Sequence, residues 1–340
     1  MISRRVFAQG FAGVVAAGTL AACSSGTTAA PAASTTAAAG GGHTTFPALK
    51  QIQAGPLNVG YAEAGPADGK PVFLLHGWPY DIYSYVDVAP ILAAAGYRVI
   101  VPFLRGYGST TFLAADTARN GQQAATASDL VALMDALHID KAVLAGYDWG
   151  GRTATCVAAV WPERVKAAAL VSGYLMTNLK AQQQPLAPAA ERGWWYQFYF
   201  ATDRGVAGYT QNRHDFNKLI WNQASPGWKF DDATYDRSAK AFDNPDHVAV
   251  VIHNYRWRLG LADGEKQYEE VEQKLQAAPP ITVPTITIGS DFDGATIDGK
   301  AYRNKFTGKY DHRIFKGIGH NVPQEAPKDF AQAVMDADRL

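Results

Sequence analysis

A carboxylate stands in this chain where a reactive side chain is expected. Asp148 lies within residues 146–151, which read Gly-Tyr-Asp-Trp-Gly-Gly. The apolar run at residues 141–145 predicts a buried strand, and residues 152–160 have the pattern of a helix. A strand, a tight turn and a helix together form the context of a nucleophile elbow, where small residues permit the sharp bend. The segment therefore predicts Asp148 as a nucleophile.

An aspartate at this position indicates attack on saturated carbon. Its carboxylate would form an alkyl ester on itself, whereas a serine would attack acyl carbon. The unpaired N–H groups and the positive dipole end of the following helix favour the ionised form of Asp148. A serine-type esterase is disfavoured, because the elbow offers no hydroxyl nucleophile.

A histidine and an acid from two later loops could complete the site. His320 follows an apolar strand and lies at the carboxyl edge of the predicted sheet, where sites in open α/β folds occur. Its predicted role is general base. Asp291 and Asp293 both follow the preceding strand, and either could orient the imidazole. We favour Asp293 because it lies nearer the next helix start and directly precedes Gly294. Asp291 is then expected to be a solvated loop residue.

The loop at residues 76–79, His-Gly-Trp-Pro, offers backbone donors for a developing oxyanion. We assign this role to the N–H groups of Trp78 and Trp149. A cis peptide is expected before Pro79. His76 is expected to pack and form hydrogen bonds rather than react. The simpler alternative for the loop is a tight turn that donates nothing to the reaction.

Alternating apolar runs and helical patterns predict the elements that position these residues. Strand, helix and strand in succession indicate an α/β fold with a mostly parallel sheet and helices on both faces. The first two strands are expected to be antiparallel edge strands. The predicted strands lie at residues 49–53, 57–62, 71–75, 98–102, 141–145, 165–173, 282–289 and 310–315.

The strand pattern stops near Met176 and resumes near residue 280. Between these points the chain shows helices and loops, and 16 of its 39 aromatic residues lie within residues 177–278. This composition suits a cap over an apolar cavity, although most of these rings are expected to be ordinary core. The predicted domains are a core at residues 46–175 and 279–340 and a helical cap at residues 176–278.

The first 45 residues differ in composition from the rest. Residues 1–22 combine a twin-arginine pattern, an apolar Gly/Ala-rich segment and Leu-Ala-Ala before Cys23. They predict an export signal with Cys23 as the acylated residue, the alternatives being a plain signal peptide or a weakly apolar helix. Residues 23–45 contain no Asp, Glu, Lys or Arg and predict a flexible tether. We expect a cell-envelope lipoprotein held to a membrane by its lipid.

Charge and cysteine content limit the function further. The chain has 31 basic and 31 acidic residues, and loss of Arg4 and Arg5 with the leader leaves 29 against 31, a net charge of −2. That balance gives no electrostatic case for binding nucleic acid. If Cys23 carries lipid, Cys156 is the remaining cysteine and no disulfide forms. No motif calls for a metal, nucleotide or flavin, so no cofactor is expected.

Taken in order, these motifs resemble the α/β-hydrolase fold and, within it, the epoxide hydrolases. The match spans residues 46–340. The resemblance implies two cap tyrosines that hold the epoxide oxygen, which match Tyr196 and Tyr255, with Tyr199 and Tyr209 as alternatives. It also implies a two-step hydrolysis of an apolar or aryl epoxide to a vicinal diol.

Two other functions compete with epoxide hydrolysis. Haloalkane and haloacetate dehalogenases share the aspartate nucleophile, and the indole of Trp149 could donate to a leaving halide. Arg152 resembles one arginine of the carboxylate clamp in haloacetate dehalogenases, but Trp149 occupies the place of the other. A halide leaving group does not need two tyrosines that converge on an oxygen, so these tyrosines favour the epoxide. A non-catalytic exported binding lipoprotein is disfavoured, because no catalytic position is degraded.

Overall fold

A computed structural model describes residues 44–292 and 297–340. The predicted signal segment, Cys23 and nearly all of the predicted tether lie outside the described residues, and so does Asp293. No helix in the described ranges is both long and apolar enough to cross a membrane.

The described residues form one nine-stranded sheet and a set of α-helices. The strands are β1 Lys50–Ala54, β2 Leu57–Ala64, β3 Lys70–Leu75, β4 Tyr97–Pro102, β5 Thr111–Phe112, β6 Ala142–Gly146, β7 Val165–Val171, β8 Thr285–Ser290 and β9 Tyr310–Phe315. The helices are α1 Val88–Ala94, α2 Gln123–Ala136, α3 Asp148–Val160, α4 Leu179–Gln182, α5 Pro188–Gly193, α6 Trp195–Phe200, α7 Asp203–Ala224, α8 Asp232–Ala239, α9 His247–Arg258, α10 Glu269–Gln276, α11 Val322–Glu325 and α12 Pro327–Ala337.

The sheet has the order β1-β2-β4-β3-β6-β7-β8-β9, with β5 paired to β2. From β4 to β9 all neighbouring strands are parallel, which confirms the predicted α/β class. The central strand β6 is buried throughout, as expected for a parallel sheet covered on both faces. The first two strands are antiparallel, as predicted. The prediction that both lie at the edge is wrong for β2, which also pairs with β4 and β5.

Several element boundaries differ from the predicted ones. The helix after the elbow begins at Asp148, four residues before its predicted start, because two glycines of low helix propensity hid the first turn. Strand β8 begins at Thr285 and not at residue 282, since Pro284 cannot donate to a ladder. Pairing with Leu57 and Asn58 creates the short β5, which has no periodic signal of its own.

The parallel topology brings the functional loops together. Strands β3, β6, β8 and β9 run in the same direction, so the segments that follow them leave at one edge of the sheet. These segments contain the His-Gly-Trp-Pro loop, the elbow, Asp291 and the loop of His320. The parallel sheet therefore places residues that are far apart in sequence at the same edge.

Helices α4 to α10 lie between β7 and β8. Their aromatic side chains pack directly on the His-Gly-Trp-Pro loop. Trp221 of α7 stacks on Tyr80 with ring centroids 4.8 Å apart, and its Nε1 donates to the carbonyl oxygen of Pro79 at 2.7 Å. Helix α10 contacts the core instead, where Glu272 accepts from the N–H of Ala124 at 3.0 Å.

Candidate active site

The turn between β6 and α3 holds Asp148 in an unusual backbone conformation. Its φ is +49°, in the left-handed region that non-glycine residues rarely adopt. Such a residue typically stores about 1–3 kcal/mol of strain. A Cβ on Gly150 would overlap the carbonyl oxygen of Leu75, and one on Gly146 would lie 2.6 Å from the carbonyl carbon of Gly150. Glycine at both positions therefore lets α3 approach the sheet and present the carboxylate at its edge.

Each carboxylate oxygen of Asp148 has a different neighbour. The N–H of Trp78 donates to Oδ1 at 2.8 Å, and Nε2 of His320 lies 3.7 Å from Oδ2. Burial favours a raised pKa for Asp148, but hydrogen bonding and charge from His320, the charge of Arg152 and the Trp78 N–H outweigh it and lower this pKa. The carboxylate is therefore ionised at neutral pH, as a nucleophile must be.

The second assigned backbone donor, Trp149, directly follows Asp148 in the chain. Trp149 is the second residue of α3, and the helix makes an early bond from Gly151 N–H to Tyr147 O at 2.9 Å. The N–H of Trp149 belongs to the first turn of α3, where N–H groups have no acceptor within the helix. The peptide between Trp78 and Pro79 is cis. Of the two N–H groups assigned from the sequence, that of Trp78 contacts the Asp148 carboxylate, and that of Trp149 belongs to the next residue of the chain.

His76 has no free ring nitrogen. Its Nε2 accepts from the N–H of Leu104 at 3.2 Å, and its Nδ1 lies 3.0 Å from the carbonyl oxygen of Gly77. Burial lowers the pKa of His76 to about 4, so the ring is neutral near pH 7. These hydrogen bonds connect the loop that contains His76 to the loop that contains Leu104.

Hydrogen bonds to two residues that the sequence analysis missed hold the His320 loop in place. The His320 N–H donates to Oγ of Ser225 at 2.9 Å, and that hydroxyl donates to Oε1 of Glu325 at 2.6 Å. Oε2 of Glu325 also accepts from the N–H of Gly319 at 2.8 Å. Ser225 follows α7 and Glu325 ends α11, so the cap side and the core side both hold the loop. Neither residue carries a local sequence signal, because the bond spans 100 positions.

The two cap tyrosines lie against each other and against Trp78. The rings of Tyr196 and Tyr255 are 5.4 Å apart at 81°, and both lie within 5.2 Å of the Trp78 ring. Burial raises the pKa of both phenols well above the ordinary value, and the nearby Asp148 charge adds to the rise. Both hydroxyls are therefore protonated and able to donate.

The alternative tyrosine at position 209 is already engaged. Its hydroxyl accepts from Trp78 Nε1 at 2.9 Å, and it lies 3.1 Å from Oδ1 of Asn217 and 2.9 Å from Nε2 of His247. This leaves Tyr209 no free donor for a substrate. The other alternative, Tyr199, stacks on Phe216 with centroids 5.9 Å apart.

The orienting acid predicted from sequence, Asp293, lies outside the described residues. The competing candidate, Asp291, is exposed, and its Oδ2 accepts from the N–H of Gly317 at 2.7 Å. No ion pair joins Asp291 to His320. The Phe292 ring lies 4.9 Å from the His320 ring.

The candidate nucleophile and the candidate base both line a cavity of about 970 Å³. Its wall includes Trp78, Asp148, Tyr196 and His320, together with apolar side chains of the cap. The volume is at the upper end of small-molecule sites. Across residues 44–292 and 297–340, no three His, Cys, Asp or Glu side chains cluster as a metal site requires.

Two arginines also line the cavity. Arg152, on the first turns of α3, entered the sequence analysis only through the dehalogenase alternative. Arg258, the last residue of α9, was missed, because an arginine at a helix C-terminus is ordinary. Only the packing of α9 over the sheet edge brings it to the cavity.

Comparisons with known proteins show the family to which this chain belongs. A family model described as the alpha/beta hydrolase fold matches residues 70–208. Epoxide hydrolase B of Mycobacterium tuberculosis is 30% identical over 329 residues, covering 79% of this chain and 91% of that protein. The chain belongs to the α/β-hydrolase fold family. A haloalkane dehalogenase of Psychrobacter cryohalolentis is 36% identical over 290 residues, covering 82% of this hydrolase and 86% of that protein.

A solved structure supports the same placement. A Klebsiella pneumoniae crystal structure with a provisional epoxide hydrolase assignment is 62% identical, with a TM-score of 0.84, covering 86% of this chain and 97% of its own. This α/β-hydrolase is therefore an epoxide hydrolase-like enzyme, as the motifs predicted.

Proposed function

We propose that this hydrolase converts an epoxide to a vicinal diol through an alkyl ester on Asp148. One observation carries the proposal: an ionised carboxylate accepts from the N–H of Trp78, and two protonated phenols, Tyr196 and Tyr255, pack on the ring of the same residue. That combination supplies a nucleophile for carbon and hydrogen-bond donors for oxygen, as epoxide opening needs. The surrounding aromatic rings favour an apolar or aryl group next to the epoxide.

In the first step, Oδ2 of Asp148 attacks an epoxide carbon from the side opposite the ring oxygen. The new carbon–oxygen bond to Asp148 forms as the epoxide carbon–oxygen bond breaks. Tyr196 and Tyr255 hydrogen-bond to the departing oxygen, and one of them transfers its proton to it. The product of this step is a hydroxyalkyl ester on Asp148.

In the second step, His320 takes a proton from a water molecule, which attacks Cγ of the Asp148 ester. The tetrahedral oxyanion develops on Oδ1, where the Trp78 N–H already donates. The Trp149 N–H is proposed as the second donor. One such donor is typically worth about 3–4 kcal/mol. Collapse of the intermediate expels the diol oxygen and restores the carboxylate, and protons return to the tyrosine and to the diol.

The origin of oxygen tests this mechanism directly. In a single turnover in ¹⁸O-labelled water, the label is expected in Asp148, and the diol should receive its new oxygen from the aspartate. The His320→Gln variant is expected to form the ester and stall, so that intact mass increases by the mass of the epoxide. Label that enters the diol in the first turnover would rule the ester out.

We further propose Asp293 as the acid that orients His320. It follows β8 one residue after Phe292, whose ring contacts that of His320. Asp293→Asn is expected to slow ester hydrolysis by about 10²–10⁴-fold, the contribution of a correctly oriented general base, and to leave ester formation intact. The matched control is Asp291→Asn, which should hydrolyse the ester normally. The reverse ranking of the two variants would assign the role to Asp291.

Haloalkane hydrolysis is the second candidate. Nε1 of Trp149 is buried without a hydrogen-bond partner among the described residues, so it could donate to a halide. The other indole in the site, Trp78, already donates its Nε1 to Tyr209. A halide would then have one indole donor, which weakens this candidate. Chloride or bromide release from haloalkanes, in the absence of epoxide turnover, would favour it.

We also propose that the enzyme is exported and anchored by lipid on Cys23. The support is the order of the twin-arginine pattern, the apolar segment and the cysteine. Cells fed an alkyne-tagged palmitate analogue are expected to label the wild-type chain and not the Cys23→Ala variant. Labelling that persists in Cys23→Ala would contradict the assignment.

A further inference from the structure

Arg258 is a buried cation that forms no ion pair with a described residue. Its residue is 9% exposed, and its Nε has no hydrogen-bond partner in the described part of the chain. Neither an ion pair nor a hydrogen bond joins its guanidinium to a described residue, and the guanidinium lies 5.7 Å from the centroid of the Tyr255 ring. Burying an unpaired charge is costly, so such a group usually meets a partner in the working state.

The position of Arg258 in α9 does not explain this lack of a partner. Cations stabilise a helix C-terminus, but Arg256 already serves the same last turn and donates to the carbonyl oxygen of Ala201 at 3.2 Å. Arg258 instead lines the cavity that contains Asp148 and Tyr196. Burial and the charge of Arg152 lower the pKa of Arg258 to about 10, so it stays charged at neutral pH.

A second guanidinium lines the same wall. Arg152 is 8% exposed, and its Nε donates to the carbonyl oxygen of Leu175 at 3.1 Å, while no acid pairs with it among the described residues. Arg152 lies one helical turn after Asp148, on the same face of α3. The bond to Leu175 holds the guanidinium through Nε, and its terminal nitrogens have no acceptor among the described residues.

The other described carboxylates at the cavity do not pair with these arginines. Oε1 of Glu191 accepts from the N–H of Leu186 at 2.6 Å, and Oδ2 of Asp291 accepts from the N–H of Gly317 at 2.7 Å. Within residues 44–292 and 297–340, neither guanidinium forms an ion pair with a carboxylate. Both are therefore available to an anionic ligand.

We propose that the epoxide substrate carries a carboxylate, which binds between Arg152 and Arg258. This inference rests on the proposed epoxide chemistry and narrows its substrate class. A guanidinium presents a planar fork that matches a carboxylate, and a monoanion loses less hydration than a dianionic phosphate on entering a closed site. With Asp148 one helical turn from Arg152, the anchored carboxylate would hold the epoxide over the nucleophile.

Matched acid and alcohol substrates test the proposal. The acids are trans-phenylglycidate and cis-epoxystearate, and the neutral partners are the corresponding primary alcohols. For at least one pair, the wild-type enzyme is expected to favour the acid in kcat/KM by about tenfold or more, the effect of a hydrogen bond to a charged group. Arg258→Gln should lose this preference, mainly through KM. Arg258→Lys should keep part of it, because charge remains without the fork.

Arg256→Gln is the control, since this arginine lies on the same helix outside the cavity wall. It should retain the wild-type ratio of acid to alcohol. A ratio that is near one in the wild-type enzyme, or unchanged in Arg258→Gln, overturns the carboxylate site while epoxide hydrolysis stands.

Binding without chemistry separates the two proposals. Calorimetry with trans-cinnamate and octanoate is expected to show at least tenfold tighter binding than with their amides, a difference lost in Arg258→Gln. If neither acid nor alcohol epoxides react but the carboxylates still bind, the epoxide proposal fails and the anion site survives. Equal binding of acids and amides would overturn the site whatever the reaction proves to be.

Discussion

The backbone N–H of Trp78 donates to Oδ1 of Asp148 at 2.8 Å, before any substrate is bound. The other oxygen, Oδ2, has Nε2 of His320 as its neighbour at 3.7 Å. The two oxygens of one carboxylate are thus distinguished in the resting enzyme. Oδ2 is the oxygen positioned to attack carbon. Oδ1 already accepts from the N–H group that later stabilises the oxyanion. Electrostatic preorganisation of this kind needs little rearrangement during the reaction.

Removing either cap phenol should slow the first chemical step. Tyr196→Phe and Tyr255→Phe are each expected to lower the rate of ester formation by about 10–100-fold, because one donor to the epoxide oxygen is lost. The double variant should fall by more than either single one, since no proton donor remains. Stopped-flow single-turnover measurements with styrene oxide give these rates.

Tyr199→Phe is the matched control for these variants. Its ring lies on the same helix and stacks on Phe216, so its hydroxyl has no assigned part in the reaction. It should form the ester at the wild-type rate. Loss of activity in Tyr199→Phe, with normal rates in Tyr196→Phe, would move the role to position 199.

Loosening the His320 loop should affect the second step. Ser225→Ala and Glu325→Gln each remove part of the hydrogen-bond chain to the backbone of His320. Ester hydrolysis is expected to slow by about tenfold, since misplacing a base by a fraction of an ångström is costly. Ester formation should change little, so the ester accumulates and is seen by intact mass. Equal slowing of both steps would indicate a general loss of structure.

The close approach of α3 to the sheet should tolerate no side chain at position 150. Gly150→Ala places a Cβ on the carbonyl oxygen of Leu75 and should lower the free energy of unfolding by at least about 1–3 kcal/mol. Gly193→Ala is the control, because a Cβ there meets nothing within 4 Å and alanine favours the helix. Guanidinium denaturation measures both. Similar stabilities for the two variants would contradict the packing argument.

A buried acid beside the site should make stability depend on pH. Asp81 is 1% exposed, and its Oδ1 accepts from the N–H of Tyr83 at 3.0 Å. Burial raises its pKa from 3.8 to about 7. The folded state therefore holds this proton more tightly than the unfolded state, and the stabilisation is lost as pH rises from about 4 through about 7.

Asp81→Asn removes this titration and keeps the acceptor for Tyr83. The stability of the variant relative to wild type should therefore increase between about pH 4 and about pH 7 and level off above. Buried histidines titrate in both proteins and cancel in the difference. Thermal melts across this range measure it, with exposed Asp68→Asn as the control. Parallel curves for Asp81→Asn and wild type would show that Asp81 does not titrate there.

Much of the fold was predictable because it depends on local patterns. Apolar runs and turns predicted the strands along the chain and a mostly parallel sheet, and the elbow was recognisable because glycines must flank a bend of this kind. The order of the strands within the sheet was not predicted. Boundaries were less accurate where glycine or proline altered an element's first turn, as at α3 and β8. The cap tyrosines came from family resemblance, since a tyrosine alone does not indicate a reacting partner.

The sequence by itself determined which residue types could react, in what order they occur and which strands carry them, because these follow from short-range spacing. Only the tertiary structure decided what each reactive group touches. It joins Trp78 to Asp148, fastens His320 through Ser225 and Glu325, and brings Arg258 beside Arg152. The bond between Ser225 and Glu325, for example, spans 100 positions of the chain. No local pattern encodes them, because they arise when the cap packs against the sheet edge.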